Sequence, residues 1–188
     1  MTDIYMDWEF LEDGQSIEPI SVGLVADDGR EYYAVNADMP MKRIAKHDWL
    51  MANVVPRLPR LYGEARMHYA GRRNPLALDR FHPAVKRRGQ IAVEVHEFIT
   101  QEPDPALWAW YAAFDHVCLA WLFGPMAKLP EGIPKRTGDL KQEAVRLGNP
   151  RVPEQVGPVH HALHDARHDR DIARFLLEYA ASLGGRDV

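Results

Sequence analysis

Cysteine is all but absent: Cys118 is the only one in the chain. No intrachain disulfide can form, which excludes a disulfide-built scaffold and fits a reducing compartment, the cytoplasm. Long apolar runs are missing too. The run at 106–114 stops at Asp115, short of the roughly 18 residues a membrane-spanning helix needs. The chain opens with Asp3, Asp7, Glu9, Glu12 and Asp13, where a signal peptide would be basic, so no membrane partner is expected. Net positive charge is lacking. Lys and Arg number 23 against 27 Asp and Glu, giving −4, so a uniformly basic nucleic-acid surface is excluded. Repeats and low-complexity tracts are absent. What remains is 46% hydrophobic and 10% aromatic over 188 residues, enough for a single domain over 1–188 with one core.

Charge is spread unevenly. Between 57 and 88 stand Arg57, Arg60, Arg66, Arg72, Arg73, Arg80, Lys86, Arg87 and Arg88, opposed only by Glu64 and Asp79. Pro56, Pro59, Pro75 and Pro83 punctuate the same stretch. About 53–88 therefore reads as an irregular basic segment, with one helical turn near 62–68. Such a surface on an acidic protein suits the tracking of phosphates beside a carboxylate site. A merely solvated Arg-rich loop has the same composition.

Period-two alternation over 4–10 predicts a strand, with Ile4, Met6, Trp8 and Phe10 on one face and Tyr5, Asp7, Glu9 and Leu11 on the other. Residues 19–26 (PISVGLVA) and 31–36 (EYYAVN) follow at hairpin distance, giving three antiparallel strands. Helices are predicted over 41–52, 83–100, 115–123 and 137–147, and a buried strand over 107–114. A last helix runs from about 161 to 183, with Leu163, Ala166, Ala173, Leu176, Ala180 and Leu183 on its core face. Strands first, then helices alternating with another strand, indicate an α/β layer fold with a mixed sheet.

Three groups of polar residues interrupt this pattern. Asp7 and Glu9, two apart in a strand, leave the same face and repel. A divalent cation would offset that repulsion; exposure on a solvated sheet face would also relieve it. Asp115 ends the apolar run, where α/β folds place ligands and where a helix N-cap also sits. The third group is His160-His161-Ala162-Leu163-His164-Asp165-Ala166 behind Gly157-Pro158. His161 and Asp165 share a helix face. His160 and Asp165 converge only if His160 lies on the loop before the helix. A metal site on His161 and Asp165 and a plain surface pair both fit the first spacing.

These groups resemble the three motifs of the DEDDh 3′–5′ exonucleases, the superfamily of ribonuclease T, oligoribonuclease and polymerase proofreading subunits. Asp7-Trp8-Glu9 matches Asp-x-Glu, Phe114-Asp115-His116 matches the block around the second Asp, and His160 to Ala166 matches His-x-Ala-Leu-x-Asp-Ala. The last match selects His160 over His161. The likeness is strongest to the small actinobacterial exoribonucleases, whose opening and Arg-Glu-Tyr-Tyr-Ala-Val strand are echoed by residues 30–35. Trp8 stands where the family usually has a small Thr or Leu.

The resemblance implies a single exonuclease domain with a ribonuclease H-like mixed sheet, strands 1–3 antiparallel and further strands parallel, flanked by helices. It implies a homodimer acting on single-stranded RNA 3′ ends and releasing nucleoside 5′-monophosphates. It implies two Mg²⁺ or Mn²⁺ held by Asp7, Glu9, Asp115 and Asp165, with His160 as general base. Trp8, Phe10 and Leu11 would wall the terminal base, and Glu12 or nearby backbone would meet the 2′-OH. His116 is expected to pack. DNA or short oligonucleotides as substrate, and a silent nucleotide- or RNA-binding module, are the competing readings.

Overall fold

Alternation builds the first strand as expected. In the computed structural model, which describes residues 2–72 and 74–184, β1 (Thr2–Glu12) buries Ile4, Met6 and Trp8 on one face and Tyr5 and Leu11 on the other. Arg73 of the basic run and the extreme ends of the expected domain lie outside the described residues. β2 (Ile17–Ala26) is buried on both faces, and β3 (Glu31–Asn36) returns after a turn at Gly29, whose φ of 92° suits glycine. Both pairings are antiparallel.

Among the described residues the sheet has six strands, completed by β4 (Val85–Lys86), β5 (Pro105–Ala109) and β6 (Thr137–Asp139). Their order is β4-β3-β2-β1-β5-β6. β4, β5 and β6 all pair in parallel, so every strand except β2 points its carboxyl end to one edge. This is the ribonuclease H-like mixed sheet that the motifs imply.

Helices cover both faces. In chain order they are α1 (Met41–Ile44), α2 (Asp48–Asn53), α3 (Gly63–Tyr69), α4 (Arg88–Thr100), α5 (Ala113–Leu122), α6 (Leu140–Arg146) and α7 (Ala162–Gly184). α4 and α5 press Ile91, Val95, Ile99, Cys118 and Leu119 onto Ile4, Met6, Trp8, Val22 and Leu24. α7 crosses β1 and β2 on the opposite face. A second cluster gathers Leu11, Ile20, Val35, Met39, Met41 and Ile44 under the short helices.

Several boundaries differ from expectation. The strand expected over 107–114 stops at Ala109, because backbone donors leave the ladder for carboxylates. Trp110 N–H goes to Asp169 at 2.9 Å and Ala112 N–H to Asp139 at 3.1 Å, while Tyr111 turns the chain at φ 59°. α5 then starts at Ala113, which puts Asp115 in its first turn and not at its cap. The helix expected over 137–147 begins as strand: Thr137–Asp139 pairs with β5, and Asp139 caps α6 through Gln142 N–H at 2.9 Å. The helix expected over 41–52 breaks near His47, whose ring caps α2. Residues 85–86 pair with β3, so α4 starts at Arg88. The 53–88 segment holds α3 where a single turn is expected. It is also anchored, with Leu76 and Leu78 buried and both ends of the Asn74 amide bonded to Leu78 backbone.

Candidate active site

β1 lifts Asp7 and Glu9 from one face, toward the start of α7. Gly23 makes that approach possible. It sits opposite Asp7 in β2, and a Cβ there would lie 2.3 Å from the Ala162 carbonyl oxygen and 2.5 Å from Leu163 Cα. Only a bare backbone lets the helix start rest on the sheet above the two acids.

Asp115 reaches the same place from α5. Its Oδ1 accepts the Trp8 N–H at 2.9 Å, between the two β1 acids, and the residue is buried. Asp165 comes from the first turn of α7. Its Oδ2 accepts His161 N–H at 3.1 Å, and its Oδ1 accepts the Gln155 amide. His160 does lie on the bend before the helix, at φ 62°, with its ring edge-on to Trp49 at 4.9 Å between centroids. Glu9, His160 and Asp165 each offer a donor atom within 4.8 Å of the others.

The charges are mutually unfavourable. Burial lifts the Asp7 carboxyl well above its ordinary value, and Asp115, Glu9, Asp165 and Asp169 lift it further. Glu9 is pushed up to about 8, first by burial, then by Asp165 and Asp115. Asp115 is pushed up to about 7 by burial, with the Trp8 bond opposing. Among the described residues no lysine or arginine bonds to any of these acids, and the buried Asp7 Oδ2 has no hydrogen-bond partner. A sealed, unpartnered carboxylate oxygen among oxygen donors and one imidazole fits a hard divalent cation. The donor set therefore suits Mg²⁺ or Mn²⁺.

The other expected residues are placed less uniformly. Phe10 stands at the site, its ring stacked on Phe114 at 5.7 Å and 15°. A cleft of about 460 Å³ opens there, lined by Asp7, Phe10, Tyr111, Phe114 and Asp115. The Trp8 and Leu11 side chains are each 4% exposed and belong to the core; Trp8 meets the site chiefly through its backbone. Glu12 is exposed, and its Oε2 accepts Gly14 N–H at 3.0 Å. His161 stacks on Tyr33 at 4.5 Å, which separates its role from that of His160. His116 bonds Thr137 Oγ1 at 3.0 Å and joins α5 to β6, as expected of a packing residue.

Two residues escape the sequence reading. Asp169, one turn beyond Asp165, is buried and bonds Trp110 N–H, adding a fifth carboxylate. Its spacing of four from Asp165 is the signal that would have found it. Phe114 forms half of the aromatic wall, and its place beside Asp115 is the corresponding signal.

No family model matches the chain. Two curated relatives do, both from Mycobacterium tuberculosis: the 3′-5′ exoribonuclease Rv2179c of strain H37Rv and the 3′-5′ exoribonuclease MT2234.1 of strain CDC 1551. Each is 38% identical over 184 residues, 97% of this chain and 96% of the relative. A remote likeness at 11% identity and TM-score 0.46 covers 99% of this chain and 86% of S. pombe Pop2p, solved with Mg²⁺ and Mn²⁺ bound. Identity at that level, end to end with the mycobacterial relatives, means that the chain belongs to their 3′–5′ exoribonuclease family.

Proposed function

We propose that the chain hydrolyses the terminal phosphodiester of single-stranded RNA at the 3′ end and releases nucleoside 5′-monophosphates. Asp7, Glu9, Asp115 and Asp165 hold two Mg²⁺ or Mn²⁺, and His160 is the general base. The observation that carries this reading is the buried, unpartnered Asp7 Oδ2 among carboxylates that raise one another. Family membership supplies the substrate class.

Ions bound there provide Lewis acidity toward the scissile phosphate and the departing 3′ oxygen. The protein does the rest. Asp7 would be the ligand common to the ions, since its carboxyl is raised by Asp115, Glu9 and Asp165 together. The Trp8 N–H fixes Asp115, and the His161 N–H fixes Asp165, so neither carboxylate must be ordered when substrate arrives. A ring nitrogen of His160 takes the proton of the attacking water, the task an imidazole within reach of the reacting water performs as general base. Its place on the bend before the helix, edge-on to Trp49, puts the ring beside Glu9 and Asp165. The Phe10–Phe114 wall stacks the last base, which tolerates any base identity. A homodimer in a reducing cytoplasm completes the reading, supported by the family likeness and the lone buried Cys118.

A second reading has its own support. His160 lies close enough to Glu9 and Asp165 to be a ligand itself. Manganese binding by His160→Ala separates the two: a base leaves affinity intact, a ligand does not.

RNA labelled at its 5′ end, incubated with Mg²⁺ or Mn²⁺, tests the function. A ladder shortening stepwise from the 3′ end, lost in Asp7→Ala, is expected. Internal cuts, or activity surviving Asp7→Ala, would overturn it. A DNA strand of the same sequence, degraded equally, would move the assignment to a general exonuclease.

A further inference from the structure

Beside the acidic edge lies a basic one. β1 and β3 point the same way, and Glu9, Ser21 and Val35 stand in register across the sheet. Two strand spacings put Val35 about 10 Å from Glu9. Just past β3 a cleft of about 530 Å³ opens, lined by Lys42, Arg43, Arg80 and Arg87. Two of these cations are engaged: Arg43 bonds Asp13 at 2.7 Å, and Arg87 bonds Asp38 at 2.6 Å. Among the described residues neither Lys42 nor Arg80 makes a salt bridge; Arg80 acts on Asp38 only through its charge and approaches the Met41 sulfur at 4.0 Å.

Arg80 also lines a second cleft of about 450 Å³, together with Tyr69 and Phe81. Their rings meet edge to face at 6.5 Å, yet Phe81 is 84% exposed and Tyr69 63%. The Phe81 backbone is held by the Asp79 carboxylate at 3.0 Å, so the exposed ring stands on a fixed turn. Cations outside any salt bridge followed by accessible aromatic faces, joined through one arginine, match what a single strand of nucleic acid presents: phosphates outside, bases to stack.

We infer that the two clefts form one track for the RNA strand 5′ of the scissile phosphate. Lys42 and Arg80 take its phosphates; Phe81 and Tyr69 stack its bases. This rests on the exoribonuclease reading above and deepens it, because the track makes the enzyme favour long strands over dinucleotides. A second copy of this chain is the other occupant that exposed rings would suit, and the experiment separates it.

The test compares the unaltered protein with Lys42→Ala/Arg80→Ala and with Phe81→Ala. Anisotropy of a labelled twelve-nucleotide RNA is followed between about 50 and 200 mM salt. The double variant should weaken binding about tenfold and flatten the logarithmic salt slope by about 1.4, two phosphate contacts at roughly 0.7 each. Phe81→Ala should weaken binding by about tenfold with the slope kept, as loss of one stacked base requires. The ratio of KM for the long RNA to KM for a dinucleotide should rise about tenfold in both. Unchanged affinity and slope would overturn the track. So would a dimer that Phe81→Ala converts to monomers in light scattering, since those rings would then face a second copy. Should the unaltered protein shorten neither RNA, the exoribonuclease reading fails, while the anisotropy still decides the track.

Discussion

Asp7 occupies the least comfortable position in the molecule. One oxygen is sealed without a partner, and the nearest charges are four more carboxylates. Such a residue is kept for chemistry and not for stability. Asp7→Asn should therefore abolish turnover yet stabilise the ion-free protein at about pH 8, by about 1–2 kcal/mol, because repulsion is relieved at a buried site. Thermal melting with chelator checks this; a lowered midpoint would contradict it. His160→Ala should slow turnover by about 10²–10⁴-fold, the usual worth of a positioned base, when rates are measured at saturating Mn²⁺. Much of the candidate site's geometry is legible in the sequence. Alternation puts Asp7 and Glu9 on one face, and the entry bend frees His160 from the helix. Asp169 is harder to read: it falls on the face of Ala166 and Ala173, four from Asp165, but an acid between apolar positions of a helix rich in charge does not by itself say that it is buried. Phe114 is named by the motif around Asp115, but as the end of an apolar run it reads as core, so its part in the aromatic wall is not legible. Trp8 shows that a residue between two site acids can still point into the core.

At the scale of elements, the site depends on how closely α7 meets β2. Gly23→Ala would drive a methyl into the Ala162–Leu163 backbone, and neither the strand nor the helix start can move without shifting Asp7 or Asp165. Overpacking of this kind destabilises by about 1–3 kcal/mol. A displacement near 1 Å at the reacting groups reduces turnover by about 10²-fold. Denaturant unfolding and single-turnover rates check both halves; full activity in Gly23→Ala would show that the contact is not needed. The glycine itself looks unremarkable in PISVGLVA, since nothing local reports that a helix will land on it. Short elements are illegible for a related reason. β6 has three residues and β4 two, too few for a period, and they exist only because a neighbouring strand offers them hydrogen bonds. The end of β5 is set by Asp139 and Asp169, which take its backbone donors from far along the chain.

Over the whole molecule, the acidic centre makes stability respond to pH in an unusual direction. In the fold burial and neighbouring carboxylates push Glu9 up to about 8, and burial pushes Asp115 up to about 7; the unfolded chain returns both to ordinary carboxylate values. Between those limits the folded state holds the extra protons, so stability falls as pH rises. Surface acids such as Glu31 beside Arg167 and Glu94 beside Lys86 sit below their usual range and have finished titrating by then. Half-buried His161 and His168 are held below their ordinary value by partial burial and act oppositely, but only up to about 6.5. The ion-free protein should therefore lose thermal midpoint between about pH 7 and 8.5, and divalent ion should cancel the loss. A flat or rising midpoint would show that the acids are not mutually strained. The same crowding predicts the most direct test of all. Manganese titrated into ion-free protein, with the free ion followed by electron paramagnetic resonance, should reveal two saturable sites per chain, with affinity reduced in Asp7→Asn. Absence of saturable binding, or an isotherm that Asp7→Asn leaves unchanged, would contradict the assignment of these carboxylates to the ions.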